Sequence, residues 1–437
     1  MIRKQEMSRK ILSAGFAFPS TFFDRKLGML REISGIKLAT IAACLVSNPC
    51  IGVDACANGP SDGGNAVLVQ AEHVITGDGE MLEPGAILIR NGKIEAIGKE
   101  VVAEGAKIVQ AKWVMPGLVN AASDLGLAGG TSEVSAEVTP DFDTSSTMDW
   151  GSRSFSRAVD EGITTSHVIP GSQSVFAGVS CMVKTAGNVD NSNAPYLMKK
   201  DCGLTIALCT DPTGRNQSRG RPDTVFMRQP TNRMGVVWIL RSSFQKAIES
   251  KTTDDLDERK MTILRKALDQ SLPLYSVSRT EVDIQSCFTL QNEFGVRPII
   301  VGGDEAYRLI DTIVERKPEI VFTGLATSSR VGGLRGEEGT ARRWNVLGQL
   351  DAAGATYCLA GDQLLEQARF AHRFGLSRDA ALRSITLSPA SILKIDSSVG
   401  SLRQGKAADL LALDSDPLEF RTAVQWVMVD GKVLSQP

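Results

Sequence analysis

Between residues 66 and 115 apolar side chains alternate with polar ones. AVLVQAEHVITGDG and GAILIRNGKIEAIGKEV repeat at every second position, the period of a strand with one covered face. Asn91-Gly92 interrupts the second run, and both residues tolerate the positive φ of a two-residue hairpin turn. The end of the chain repeats this chemistry: ADLLALDSD and AVQWVMVDGKVLS predict two more strands and a second hairpin at Asp430-Gly431. The middle differs. From 116 to 395 apolar runs such as GITTSHVIP, GVSCMVKT, GLTIALC, LPLYSVS, VRPIIVGG, EIVFTGL and ATYCLAGD alternate with helical patterns such as RMGVVWILRSSFQKAIE and DQLLEQARFAHRFG. With WVMPGLVN they make eight buried strands, most followed by a helix.

That order predicts an α/β fold, a (β/α)8 TIM barrel over 116–395. A composite β-sandwich beside it would be built from N- and C-terminal segments, 61–115 and 396–437. An open doubly wound sheet is the alternative. It would place a Gly-x-Gly-x-x-Gly loop after the first strand, and none is there.

The first sixty residues carry a third pattern. From Met29 a basic start (Arg31, Lys37) precedes an apolar run from Leu38 to Val46, a small-x-small end at Ala55-Cys56-Ala57 and a Gly-rich spacer. These are the parts of a secretory signal, so 1–60 is expected to be leader and spacer, with export to the periplasm or medium. Ile41-Ala42-Ala43-Cys44 offers a lipoprotein version of that signal, and an apolar disordered tail is the bland reading. The run is too short for a stable membrane span.

Charge narrows the partners. The net charge is −2, and the basic residues are interleaved with acidic ones, as in KTTDDLDERK (251–260), so no footprint for nucleic acid or anionic membrane exists. Of eight cysteines, Cys44, Cys50 and Cys56 fall in the leader; the other five show no paired spacing and read as buried thiols. The 41 glycines suit many strand–helix turns. Only three histidines occur, which bears directly on metal chemistry.

LSPASILKIDSSVGSLRQGKAADLLALDSDPLE (387–419), VMPGLVNAASDLGL (114–127), HVIPGSQSVFAGVSCMVKTAG (167–187), PTNRMGVV (230–237) and FGLSRDAALRSITLSPA (374–390) resemble segments of the amidohydrolase superfamily, in particular its imidazolonepropionase-like members. The resemblance runs from about Ala66 to the end. It implies one or two divalent ions held at the C-terminal rim of the barrel by a His-x-His pair, a lysine on some fourth strands, two single histidines and an aspartate. There the ion would lower the pKa of water and the aspartate would take its proton. At the matching positions this sequence has Ala122 and Asp124 around Ser123, then Thr205, Val277 and Gly302; only the carboxylate is kept, as Asp362.

His73, His167 and His372 form neither a His-x-His nor a His-Glu-x-x-His spacing. Packing or surface positions are the simpler reading of each. Gly171-Ser172-Gln173-Ser174 lacks the Gly-x-Ser-x-Gly elbow. The expectation is therefore a catalytically degenerate, exported barrel with no cofactor, binding a small polar molecule or serving structurally. Its pocket is expected to hold Ser123, Asp124, Arg279 and Asp304, with Asp362 the one catalytic candidate. The first alternative is an active hydrolase of C–N bonds in amides or cyclic amides, with Asp362 as base and one weakly held divalent metal such as Zn. The second is a homo-oligomeric interaction module.

Overall fold

The computed structural model describes residues 66–187, 193–214, 229–249, 255–325 and 343–435; the expected leader and spacer at 1–60, with its start at Met29, lie outside them. The strands are β1 (Val67–Ile75), β2 (Met81–Leu82), β3 (Gly85–Arg90), β4 (Lys93–Gly98), β5 (Lys107–Pro116), β6 (Leu118–Ser123), β7 (Ile163–Val168), β8 (Phe176–Lys184), β9 (Tyr196–Ala207), β10 (Leu274–Ser278), β11 (Pro298–Gly302), β12 (Glu319–Thr323), β13 (Thr356–Ala360), β14 (Leu410–Leu413), β15 (Val424–Val429) and β16 (Lys432–Ser435). They form two sheets of eight strands.

The first sheet joins the two terminal segments in the order β4-β3-β1-β5-β14-β15-β16, with β2 beside β1. The junction is the antiparallel pair β5–β14, in register Val114 to Ala412 and Pro116 to Leu410. It is one continuous sheet. Both expected hairpins are present, with φ 50 and 76 at Asn91-Gly92 and 46 and 80 at Asp430-Gly431. The two turns press together, because a β-carbon on Gly431 would lie 3.0 Å from Gly92 Cα.

The second sheet runs β6 to β13 in sequence order. Every pair from β9 to β13 is parallel, as is β6–β7. β8 departs from the expected all-parallel sheet, pairing antiparallel with both β7 and β9. The cause is loop length: only residues 169–175 separate β7 from β8. A parallel crossover needs a dozen residues or more.

The helices are α1 (Arg153–Asp160), α2 (Arg233–Glu249), α3 (Asp255–Leu268), α4 (Glu281–Phe294), α5 (Ile310–Arg316), α6 (Val346–Ala352), α7 (Leu364–Arg373), α8 (Arg378–Arg383) and α9 (Leu387–Ile392). Their starts follow local chemistry. Ser152 and Ser377 cap α1 and α8, and Thr280 with Asp283 makes a reciprocal box at α4, which ends at Gly295 with φ 72. Strand residues Leu204, Ile206, Ile300, Ile320 and Phe322 pack in one cluster with Leu240, Phe244, Leu264, Ile284 and Leu364 of the helices. On the other face Ala121, Met182, Ala207, Tyr275, Val277, Val301, Val321 and Cys358 form a second cluster. Burial on both faces explains why these strands read as continuous apolar runs. Among the described residues no helix is long and apolar enough to cross a membrane.

The sheet curls until its edges, β6 and β13, lie side by side, yet no backbone ladder joins them among the described residues. Asn120 spans this seam. Its Nδ2 donates to Gly361 O at 3.0 Å, and its Oδ1 accepts from Gly361 N at 2.9 Å. Alongside it, Val119 N donates to Ile385 O and Leu359 N to Ser384 O. Replacing Asn120 with Ala leaves both polar groups of Gly361 without that amide at a buried site, so a loss of about 2 kcal/mol is expected in urea unfolding. Asn120→Asp keeps only the acceptor half and should recover stability in acid, where a protonated carboxyl can donate. A pH-independent Asn120→Asp loss would contradict this role.

Candidate functional site

At the C-terminal ends of the second sheet's strands the chain encloses a pocket of about 320 Å³. Its apolar lining is Ala122, Ile169, Pro170, Val277 and Val301, and its polar lining includes Ser123, Asp124, Ser172, Arg279, Thr323 and Asp362. The structure thus brings Ser123, Asp124, Arg279 and Asp362 together. Asp304 is elsewhere: it is 1% exposed and does not line the pocket. The chain turns sharply after β11, through Gly302 (φ 112) and Gly303 (φ 70), and this carries Asp304 away from the mouth.

Each polar residue is placed by identifiable bonds. Ser123 Oγ lies 2.7 Å from Ser166 Oγ at the end of β6. Asp124 follows in an exposed turn closed by Leu127 N donating to Asp124 O at 3.0 Å. Arg279 follows β10, where its backbone N donates to the fully buried Asp283. Its guanidinium then reaches across to Asp211, with Nη1 to Oδ1 at 2.8 Å and Nη2 to Oδ2 at 2.7 Å. The Ser172 hydroxyl also donates to Asp211. Burial pushes the Asp211 carboxyl up, but the Arg279 bonds and charge, with Ser172, more than offset it and hold it below the usual carboxylate value.

Asp362 sits just past β13 on a backbone held from three sides. Gln367 Nε2 donates to Ala360 O at 3.0 Å and to Asp362 O at 2.8 Å, Gln363 N donates to Glu161 Oε2 at 3.1 Å, and Asn120 holds Gly361. Burial raises the Glu161 carboxyl above its ordinary range, with the nearby Asp362 charge adding to the effect and the Gln363 bond opposing it. The Asp124 and Asp362 carboxylates have no hydrogen-bond or ion-pair partner among the described residues.

None of the three histidines lines the pocket. His73 stacks on Trp113 with ring centroids 4.0 Å apart and meets Glu83; His372 bonds Leu376 O. His167 is fully buried, with Nδ1 2.9 Å from Ala121 O and Nε2 2.8 Å from Ser180 Oγ. A carbonyl only accepts, so the neutral ring carries its proton on Nδ1, and Nε2 faces a Ser180 hydroxyl that also lies 3.1 Å from Gly203 O. Thr205 is fully buried on β9 and does not reach the lining. Cys181, Cys202, Cys209, Cys287 and Cys358 are buried and form no disulfide among the described residues.

Sequence reasoning missed Asp211. Its local signal, Thr-Asp-Pro after a strand, marks a turn, and nothing in it names Arg279 as the partner.

The Amidohydrolase family model matches residues 261–434. Amidohydrolase tasK of Hapsidospora irregularis is 26% identical over 316 residues, covering 63% of this chain and 31% of its own length. The chain therefore spans about a third of that curated relative. An amidohydrolase from Thermotoga maritima MSB8 superposes with TM-score 0.75 at 24% identity, covering 85% of this chain and all of its own. Residues 261–434 thus carry the Amidohydrolase family pattern, and the chain shares the fold of that solved amidohydrolase. Ochratoxinase from A. niger is a more distant structural likeness, with TM-score 0.51 at 16% identity over 86% of this chain and 97% of its own.

The likeness to that family implies a divalent ion, and the described lining does not fit one. It offers two exposed carboxylates, Asp124 and Asp362, without imidazole, thiol or amine. Among the described residues no three His, Cys, Asp or Glu side chains converge to hold a metal. Two carboxylates alone leave such an ion mostly hydrated and weakly held.

Proposed function

We propose that this amidohydrolase-superfamily protein is catalytically degenerate and metal-independent, and that it holds a small polar molecule in the pocket at its strand ends. One observation carries the reading. Gly302, where the superfamily resemblance implies a histidine, has φ 112, and a β-carbon there would lie 3.0 Å from Ser278 O and 3.1 Å from Arg279 Cγ. A side chain at that position is therefore both strained and crowded. Ala122 and Val277, two further lining positions where imidazoles are implied, also carry no donor.

In this reading the curled sheet works as a (β/α)8 barrel sealed by Asn120, and the terminal strands act as a composite sandwich. The same reading includes the imidazolonepropionase-like subgroup, export through the leader and self-association. Metal analysis of protein purified without chelators is expected to give well under one equivalent of Zn, Mn or Fe. Zn²⁺ added back should not produce amide or cyclic-amide turnover.

A second reading, an active C–N hydrolase, draws support from Asp124 and Asp362 lining one pocket with no described partners. Stoichiometric metal, together with turnover abolished by Asp362→Asn, would establish that reading and end the first.

A further inference from the structure

Resting on the reading of this pocket as a binding site, we propose that its ligand is a small organic cation with an apolar body, a primary amine for example, and that Asp211 sets this preference. Three residues of the described lining ionise: Asp124, Asp362 and Arg279. The two carboxylates have no described partner. Arg279 is already committed, since both arms of its guanidinium fork are taken by Asp211. Such bidentate pairs are strong and geometrically specific, so an incoming carboxylate would have to break one to be clasped. The Ser172 hydroxyl, also on Asp211, adds a further hold.

The described lining thus presents two negative charges and one cation that Asp211 neutralises. An anionic guest meets net repulsion, and an ammonium meets attraction, at a partly enclosed site where water screens less than in bulk. Below the rim, Ala122, Ile169, Val277 and Val301 favour hydrocarbon. The pocket volume of about 320 Å³ suits a single ring with a short arm.

Isothermal titration of the full chain at neutral pH with benzylammonium, benzyl alcohol and benzoate tests this, because the three share one ring and differ in charge. Benzylammonium is expected to bind about tenfold tighter than benzoate, a difference of about 1.4 kcal/mol, with the alcohol between. Asp211→Asn should remove the charge that neutralises Arg279 and narrow or reverse that ratio. Joint replacement of Asp124 and Asp362 by Asn should bring the amine down to the alcohol. Benzoate binding as tightly as the amine to the unaltered chain, or tighter, overturns the charge preference while leaving the pocket as a binding site. Binding by none of the three also overturns it. A ratio unmoved in folded Asp211→Asn protein removes Asp211 from the account, and the unaltered chain decides the preference even if that variant does not fold. Metal content and turnover, measured on the same preparation, decide the function reading separately.

Discussion

Replacing Lys184 with Met is expected to lower folding stability by about 3–5 kcal/mol, seen as a lower urea midpoint at unchanged slope. The side chains of Lys184 and Asp409 are each 3% exposed. The ammonium bonds Asp409 Oδ2 and lies 3.6 Å from Asp430 Oδ1. Tyr196 adds its hydroxyl to Asp430 at 2.8 Å, and Asp430 N donates to Asp409 Oδ1 at 3.1 Å. Without the cation, Asp409 remains buried close to a second carboxylate. A double change, Lys184→Met with Asp409→Asn, removes both charges, keeps an acceptor for Asp430 N, and should regain much of the loss. A single variant within about 1 kcal/mol of the parent would show that water or movement relieves the charge. The pair ties antiparallel β8 to the residue just ahead of β14, with Asp430 of the turn between β15 and β16 close by, so the measurement also reports how firmly the two sheets are joined.

A second large effect is expected from acid. Burial pushes the His167 pKa down to about 4, with Lys199's charge acting the same way and the Ala121 bond opposing it. The unfolded chain, with an ordinary imidazole near 6.5, takes up a proton that the folded chain refuses. His167's contribution is therefore whole above about pH 6.5 and drains away as pH falls toward 4, by about 3 kcal/mol in total. Carboxylates titrate in part of the same window, so the informative quantity is a difference. Urea unfolding at about pH 7 and about pH 4.5 should show a steeper loss for the parent than for His167→Gln, which carries no titrating ring. Equal losses would mean that the folded chain protonates His167 as readily as the unfolded one.

What the sequence made legible was local. Asn91-Gly92 and Asp430-Gly431 announced their hairpins because the turn chemistry is contained in the two residues. The eight buried strands were readable because both faces are covered, which removes polar positions from the run. Strand direction is not written in that pattern, so the sequence read β8 as parallel, and the short connection from β7 that reverses it went unread. Asn120 is one polar residue in an apolar strand, and its partner, Gly361, just past the last strand of the same sheet, is 241 residues away along the chain. The pocket followed the same rule. Ser123, Asp124 and Asp362 came from their places at strand ends within recognisable segments, whereas the Arg279–Asp211 clasp depends on two loops meeting. Asp304 was misplaced because counting along β11 takes no account of the reversal at Gly303.

The junction of β5 with β14 has a consequence for biosynthesis. A chain growing from the ribosome finishes Trp113–Pro116 long before Leu410–Leu413 exists, so that strand's outer edge waits uncapped through most of translation. Open edges of this kind invite pairing with other chains. Premature termination anywhere ahead of β14 would make the exposure permanent, so truncated products should be found in inclusion bodies or bound to chaperones.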